Sequence, residues 1–552
     1  MENNEKYSKT LRAAHQFVWK ACIIHAVLYS IFAYRAEDGL GAGIFEIISV
    51  CVFLIVAFKL KKEAVPEDCL AISIGPGTYF YYLADILITF SSAFTNNKFF
   101  IIMNGIIGLL LFSIATIKIF YNDKYWGFYN YFAAIVSFFI GVIASIPVPF
   151  YNSSLIKKRR AAEGITKKAR KKMSPTTKNI LTGVIVALPI FFIILGLLAS
   201  ADKVFGDVMT GIFDFVDYIN VDWLLENYIL FPYMFIIYFA VVYLVFAALT
   251  DKKVSNRVYT PTKFETTIAV VVYVMVDLLY VIFSIVQFMY LFQGKVPEGY
   301  SYAEYARQGF FQLLFVAIIN YSGIVFTNAH YEKNALLKLL MTITCLATYV
   351  LIASSAFRMV LYIRVYNLTL LRVLVLWFLG VLSIFMIGCL VSVYFSKWNL
   401  FKYSIVVFTF CYAILCFAGV DNLIVKYNFD SFREDYSHDE SVSLLDYIPD
   451  EYRSNYSYAI ELANVYNEYS LSETDKLLVE KYFVKNARDF YNIRDYQRGR
   501  AESIEIKKEY RIYTPKKITS PMNYKRYNFA AADFVRALES TDIELTDPRM
   551  AP

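Results

Sequence analysis

Between residues 17 and 420 the chain carries twelve apolar stretches, most of them 18 to 25 residues long, and a helix needs about 20 apolar residues to cross a hydrocarbon core. No water inside a bilayer can satisfy backbone N–H and C=O groups, so each stretch must close its hydrogen bonds within itself as a helix. The expected fold is an all-α integral membrane protein: a polytopic bundle of about 11–12 transmembrane helices followed by a small polar C-terminal appendage.

Charge is distributed to match. Only 18% of residues are charged, against roughly 25% in soluble domains. From Val420 onward 19 Lys and Arg face 24 Asp and Glu, which leaves 35 against 23 before it. The basic excess therefore belongs to membrane loops and not to a nucleic-acid face. The seven cysteines lie in or beside apolar segments, define no disulfide framework and read as small core residues. The first apolar segment is long enough to span and has no convincing cleavage site after it, so it is expected to be retained as an anchor.

Spans are expected near 17–34, 43–60, 70–94, 99–119, 128–150, 178–199, 228–249, 265–292, 309–329, 335–356, 370–395 and 400–420. Residues 1–156 form the first set of helices, 157–177 a basic cytoplasmic linker, 178–420 the second set, and 421–552 a polar, mostly helical tail. The linker holds nine cations, Lys157 to Arg160, Lys167, Lys168 and Arg170 to Lys172, against Glu163. Positive loops stay in the cytoplasm. Counting forward, the acidic loop 200–227, residues 293–308, residues 357–369 and the tail face outward, while Lys252, Lys333 and Lys397 face inward. Counting backward, five spans put the amino terminus outside, although Lys6, Lys9, Arg12 and the Lys59-Lys61-Lys62 cluster favour the cytoplasm. Either the segment 128–150, which carries Pro147 and Pro149, does not cross, or the stretch interrupted by Gly75-Pro76-Gly77 is re-entrant.

An amphipathic helix is expected over 204–223, where Phe205, Val208, Ile212, Phe215, Ile219 and Trp223 recur every three or four positions. In the tail, helices are expected at 457–469, 472–492 and 529–540, the second opened by an N-cap pattern at Ser472. Residues 504–513 alternate as a short hairpin would.

Ionisable groups inside apolar segments are expensive unless they face protein or water. They are Lys20, His25, Glu46, Asp85 and Asp277. Asp277, deep in its span, fits a proton or cation relay on a functional reading and a buried hydrogen-bonding partner on a structural one; Lys20 and Glu46 are close enough to span ends to snorkel. A second polar group runs from Gln287 to Phe292 and through Tyr302 to Phe310, with Glu304 and Arg307 three apart on one helical face. A third comprises Arg358, Tyr362, Arg364 and Arg372. On the outer surface these arginines suit a phosphate or carboxylate, because guanidinium forks match such groups bidentately. The alternative is that interfacial Arg and Tyr anchor helices at headgroup level.

These clusters resemble the signature of a bacterial multi-pass membrane family, the domain of unknown function 4173, which is related to 4153. The resemblance rests on Ala201-Asp202-Lys203-Val204-Phe205, Gln287 to Phe292, Tyr302 to Phe310 with Leu313, Arg358 to Arg372, and Asp421-Asn422-Leu423-Ile424 with Asn428, and covers roughly residues 180–430. Asp421-Asn422 stands where the family pattern has Asn-Pro-Asp. Membership implies a bacterial plasma-membrane protein and brings with it no activity, substrate or cofactor.

Two functions are expected ahead of a third, an intramembrane enzyme. The first is a non-enzymatic sensor or accessory subunit that binds an anionic ligand, a lipid headgroup or another envelope protein through Glu304, Arg307, Arg358, Tyr362, Arg364 and Arg372. The second is a transporter or lipid-handling permease with a polar pathway through Asp277, in which Asp85 and Gln287 also line polar ground. No catalytic motif, metal-spaced cluster or cofactor loop is found in the sequence, and no nucleic-acid partner is expected.

Overall fold

A computed structural model describes residues 7–34, 39–124, 126–162, 230–255, 262–289, 310–395, 397–449, 455–487, 529–541 and 543. Apart from the isolated bridge between Phe264 and Tyr331, regular structure among these residues is helical. The helices are α1 (Lys9–Ala13), α2 (His15–Phe32), α3 (Leu40–Lys62), α4 (Pro76–Ser91), α5 (Lys98–Phe120), α6 (Phe128–Ala144), α7 (Val148–Ala162), α8 (Phe231–Thr250), α9 (Thr266–Met289), α10 (Phe310–His330), α11 (Ala335–Tyr366), α12 (Leu370–Tyr394), α13 (Leu400–Phe417), α14 (Val420–His438), α15 (Ala459–Glu468), α16 (Glu473–Ala487) and α17 (Phe529–Glu539). Eight of them, α3, α5 and α8 to α13, are long and apolar enough to cross a membrane. The protein is a multi-pass membrane protein. The span expected at 178–199, the amphipathic helix at 204–223 and the hairpin at 504–513 lie outside the described residues.

The chain divides into two compact units, and α3 and α6 contribute residues to both. In the first unit, residues 1–34, 51–70 and 138–254, α2 runs antiparallel to α8: the Tyr34 and Phe231 rings meet edge to face, and His15 Nδ1 lies 2.7 Å from the Tyr243 hydroxyl. Four segments gather at one end of this pair. Ser8 N–H donates to Asp251 Oδ1 (2.9 Å), Thr10 N–H to Asp68 Oδ2 (2.7 Å), Arg12 Nε to Asn152 Oδ1 (3.3 Å), and Lys253 Nζ to Ser145 Oγ (2.8 Å). The amino terminus thus shares an end with the turn after α3, the start of α7 and the turn after α8.

Within the second unit, α4 and α5 lie against each other lengthwise as a hairpin. The segment 128–150, one of the two doubtful crossings in the sequence, is built as two helices, a broken span or a re-entrant loop. It is bent by 48° between α6 and α7, where Pro147 and Pro149 bar regular helical hydrogen bonding, and α7 ends on Lys157 to Arg160.

The second unit comprises residues 35–50, 71–137 and 255–552. α11 packs against α9, α10 and α12, α10 also lies on α12, and α13 lies on both α12 and α4. α4 begins at Pro76, later than the apolar stretch suggests, since proline at the first helical position needs no N–H partner. α11 runs on to Tyr366, ten residues past its expected limit. At Gly419 the chain adopts φ +61°, a left-handed conformation that glycine tolerates, and turns into α14. The tail packs on α14 through Phe429, Phe432 and Tyr458, all fully buried, and Phe483 meets Phe534 of α17. Helices form within each of the three expected stretches, residues 488–492 lying outside the described ones, and Ser472 Oγ accepts from Asp475 N–H (3.2 Å) to cap α16. Two cysteines depart from the core reading, Cys51 and Cys69 being exposed.

Candidate functional site

On α9, Tyr273, Asp277, Tyr280, Ser284 and Gln287 recur at alternating intervals of four and three, which places them on one helical face. The opposite face, including Met275, Leu278 and Leu279, is exposed apolar surface suited to lipid. The polar face meets a matching stripe on α11 and two residues of α10. Tyr273 OH lies 3.1 Å from Thr327 Oγ1. Thr344 Oγ1 donates to Asp277 Oδ1 at 2.6 Å. Tyr280 OH donates to Asn320 Oδ1 (2.6 Å), and Asn320 Nδ2 to Thr348 Oγ1 (2.9 Å). Ser354 Oγ donates to Gln287 Oε1 (2.6 Å). At 1.5 Å per residue this seam runs for about 21 Å, most of a bilayer core. Asp277 is only 4% exposed, and its Oδ2 is buried without a hydrogen-bond partner.

The arginines lie at the end of the seam where α11 stops. Arg358 is buried, with Nη2 3.5 Å from Gln287 Oε1. Arg372 stands 4.5 Å above the Tyr362 ring and donates Nη1 to the carbonyl oxygens of Tyr366 and Asn367. It thereby caps the C-terminal end of α11, where carbonyls lack helical partners and a cation is favoured. Arg364 is exposed, six residues from Arg358 and on another helical face. Glu304 and Arg307 lie outside the described residues. The structure therefore joins Arg358 to Gln287 and Arg372 to Tyr362.

A second buried polar line joins α3, α4, α5 and α13. Glu46 of α3, half-buried, and Asp85 of α4 bring their carboxyl groups together. Beside them Tyr82 OH lies 2.8 Å from Thr116 Oγ1. Further along, Asn104 Nδ2 donates to Ser91 Oγ and Ser92 Oγ, each at 3.0 Å, and its Oδ1 accepts from Tyr412 OH at 2.9 Å. In the sequence Asp85 and Glu46 stand out singly, and nothing there announces their pairing. The usable signal is the spacing of Tyr82, Asp85, Thr89 and Ser92 on one face of α4.

Beyond the helix ends, Asp123 sits between Lys118 Nζ (2.6 Å) and Lys402 Nζ (3.1 Å) and accepts from Tyr131 OH. Burial pushes its carboxyl up, but the hydrogen bonds and positive charge from Lys118, Tyr131 and Lys402 outweigh burial and hold it below the usual carboxylate range. Among the described residues no cluster of three His, Cys, Asp or Glu could hold a metal ion.

Residues 83–450 match the domain of unknown function DUF4153. The chain belongs to that family. The match takes in all of α5, the seam of α9 to α11, the arginine-bearing turn and Asn428, and begins well before residue 180. The motifs point to family 4173, which is not matched; the family matched is the related 4153. No curated protein and no solved structure matches the chain significantly.

Proposed function

We propose that the protein is a permease of the bacterial plasma membrane, moving a small polar or ionic solute along the seam between α9, α10 and α11 with Asp277 as its charge-bearing group. The observation that carries this reading is the unpartnered Asp277 Oδ2 in the middle of a polar stripe. A carboxylate held only for packing would be expected to have all its acceptor positions met, since buried polar groups left unpaired destabilise a fold. Lipid at the α9 exterior and polar groups within give the stripe the character of a conduit. The ligand-binding reading at the arginines has weaker support, because Arg358 and Arg372 are engaged by Gln287, Tyr362 and backbone carbonyls. By the positive-inside rule the Lys118–Asp123–Lys402 end is cytoplasmic and the tail is outside.

The test is flux into proteoliposomes loaded with a pH-sensitive dye and a panel of ions, with a fluorescent-lipid scrambling assay run alongside. Wild-type protein is expected to exceed empty vesicles in flux, and Asp277→Asn to abolish the excess while purifying as a folded protein. Wild-type vesicles indistinguishable from empty ones, or full flux through Asp277→Asn, would overturn the reading; scrambling without ion flux would assign the seam to lipid headgroups instead.

A further inference from the structure

The pair formed by Glu46 and Asp85 is not explained by the seam at Asp277 and is independent of it. Two carboxylates have only acceptors, so a hydrogen bond between carboxyl groups requires a proton on one of them. Asp85 is 1% exposed, and its Oδ2 meets no hydroxyl, amide or cationic donor. Were the position merely structural, an amide would serve better, as Asn104 does on α5 by satisfying Ser91, Ser92 and Tyr412 at once. Carboxyl groups facing each other in a lipid-embedded bundle are expensive, and the local backbone is shaped to admit them. A Cβ on Gly108 would lie 2.8 Å from Asp85 Oδ1 and 3.3 Å from Thr89 Oγ1. Only glycine leaves that space.

The pair also has a route out. Along α4 the face bearing Tyr82 and Asp85 continues through Thr89 to Ser92, and Asn104 ties Ser92 to Ser91. Ser91 lines a cavity of 760 Å³ under α14, with Cys416, Thr95 and Asp421 also in its wall. Asp421 accepts there from Thr95 Oγ1 and Asn97 Nδ2, each at 2.8 Å. Tyr82 is the other titratable group facing the pair; α5 presents Gly108 and Thr116, and α13 presents Tyr412 and Cys416 beyond Ser91.

We propose that Glu46 and Asp85 form a proton-exchange site that opens through the Thr89–Ser92–Asn104 line to the cavity beneath α14. One proton binds to, or leaves, the pair. The pair alternates between one and two protons, an O–H bond forms on one carboxyl and breaks on a water of the cavity, and nothing is oxidised or reduced. The ligand proposed is the proton: a hard divalent ion takes six or more oxygen ligands, and among the described residues no third His, Cys, Asp or Glu joins the pair.

The experiment treats the full-length protein in detergent with a hydrophobic carbodiimide, which adds to protonated carboxyl groups in apolar surroundings, and maps the adduct by peptide mass spectrometry. Labelling is expected at Glu46 or Asp85 and is expected to fall roughly tenfold per pH unit on the alkaline side of the pair's titration. Because each carboxyl sets the other's charge, Glu46→Gln should change the pH midpoint of labelling at Asp85, an effect that a packing role would not produce. Absence of adduct at both residues across the pH range, pH-independent labelling, or protection by sodium ions would each overturn the proposal. The wild-type pH profile decides the matter even where a variant fails to fold, and it is read without any transport assay.

Discussion

Replacing Gly108 by alanine sets two opposing effects against each other. The new Cβ would approach Asp85 Oδ1 to 2.8 Å and Thr89 Oγ1 to 3.3 Å, so the carboxyl must retreat by several tenths of an ångström from a buried position. Overpacking of this kind costs about 1–3 kcal/mol, while alanine gains about 0.8–1 kcal/mol over glycine within a helix. The net expectation is a loss of about 0–2 kcal/mol. Gly105, one turn earlier on α5, is the internal control: nothing lies within 4 Å of its Cβ position, so Gly105→Ala keeps the gain and avoids the clash. The two variants should therefore differ by about 1–3 kcal/mol. Apparent Tm in one detergent at one scan rate measures the difference, the fixed rate being needed because such unfolding is irreversible. Adding Asp85→Ala should cancel the penalty at position 108, a non-additivity expected only of groups in contact. Equal Tm for the two glycine variants would show that Asp85 does not need the space at Gly108.

Two further outcomes are expected from the hydrogen bonds of Asp277 and Asp123. Thr344→Val removes the donor to Asp277 Oδ1 and leaves both carboxylate oxygens without one, so the apparent Tm should fall by an amount equivalent to about 1–3 kcal/mol; an unchanged Tm would mean that Asp277 finds another donor. Asp123 has a folded-state pKa below its unfolded value, so its contribution is complete above the unfolded value of about 4 and is lost as pH falls through the folded one. Thermal scans of the wild type should accordingly show a step down at acid pH, whereas Asp123→Asn should start lower at neutral pH and lack that step; parallel curves for the two proteins would contradict the assignment.

Much of the membrane architecture is legible in the sequence because hydrocarbon tolerates few alternatives to an apolar helix. Where sequence and structure part, the cause lies in the backbone or in a distant partner. Apolarity alone cannot show that the chain bends at Pro147 and that Ser145 meets Lys253 108 residues away. Sequence ends α11 too early because Arg358 reads as the start of a loop, yet Gln287 on another helix receives it. The arginines read as anion ligands because sequence gives their chemistry and not their acceptors; for Arg372 these are main-chain carbonyls, which every residue possesses. Asp277 stands out by its isolation within an apolar run, whereas Glu46 needs Asp85, 39 residues on, to acquire meaning.

Asn428 has a reach larger than its size. Fully buried, it accepts from Leu368 N–H (2.8 Å) and donates to Leu368 O (3.0 Å), as a neighbouring strand would, while the same Nδ2 approaches Tyr447 O (3.2 Å) and Tyr458 OH (3.4 Å). One carboxamide thus rivets the loop joining α11 to α12 onto the extramembrane helices. Leu368 follows directly on the helix that carries Thr344 and Thr348, so the tail and the bundle share one hydrogen-bonded joint.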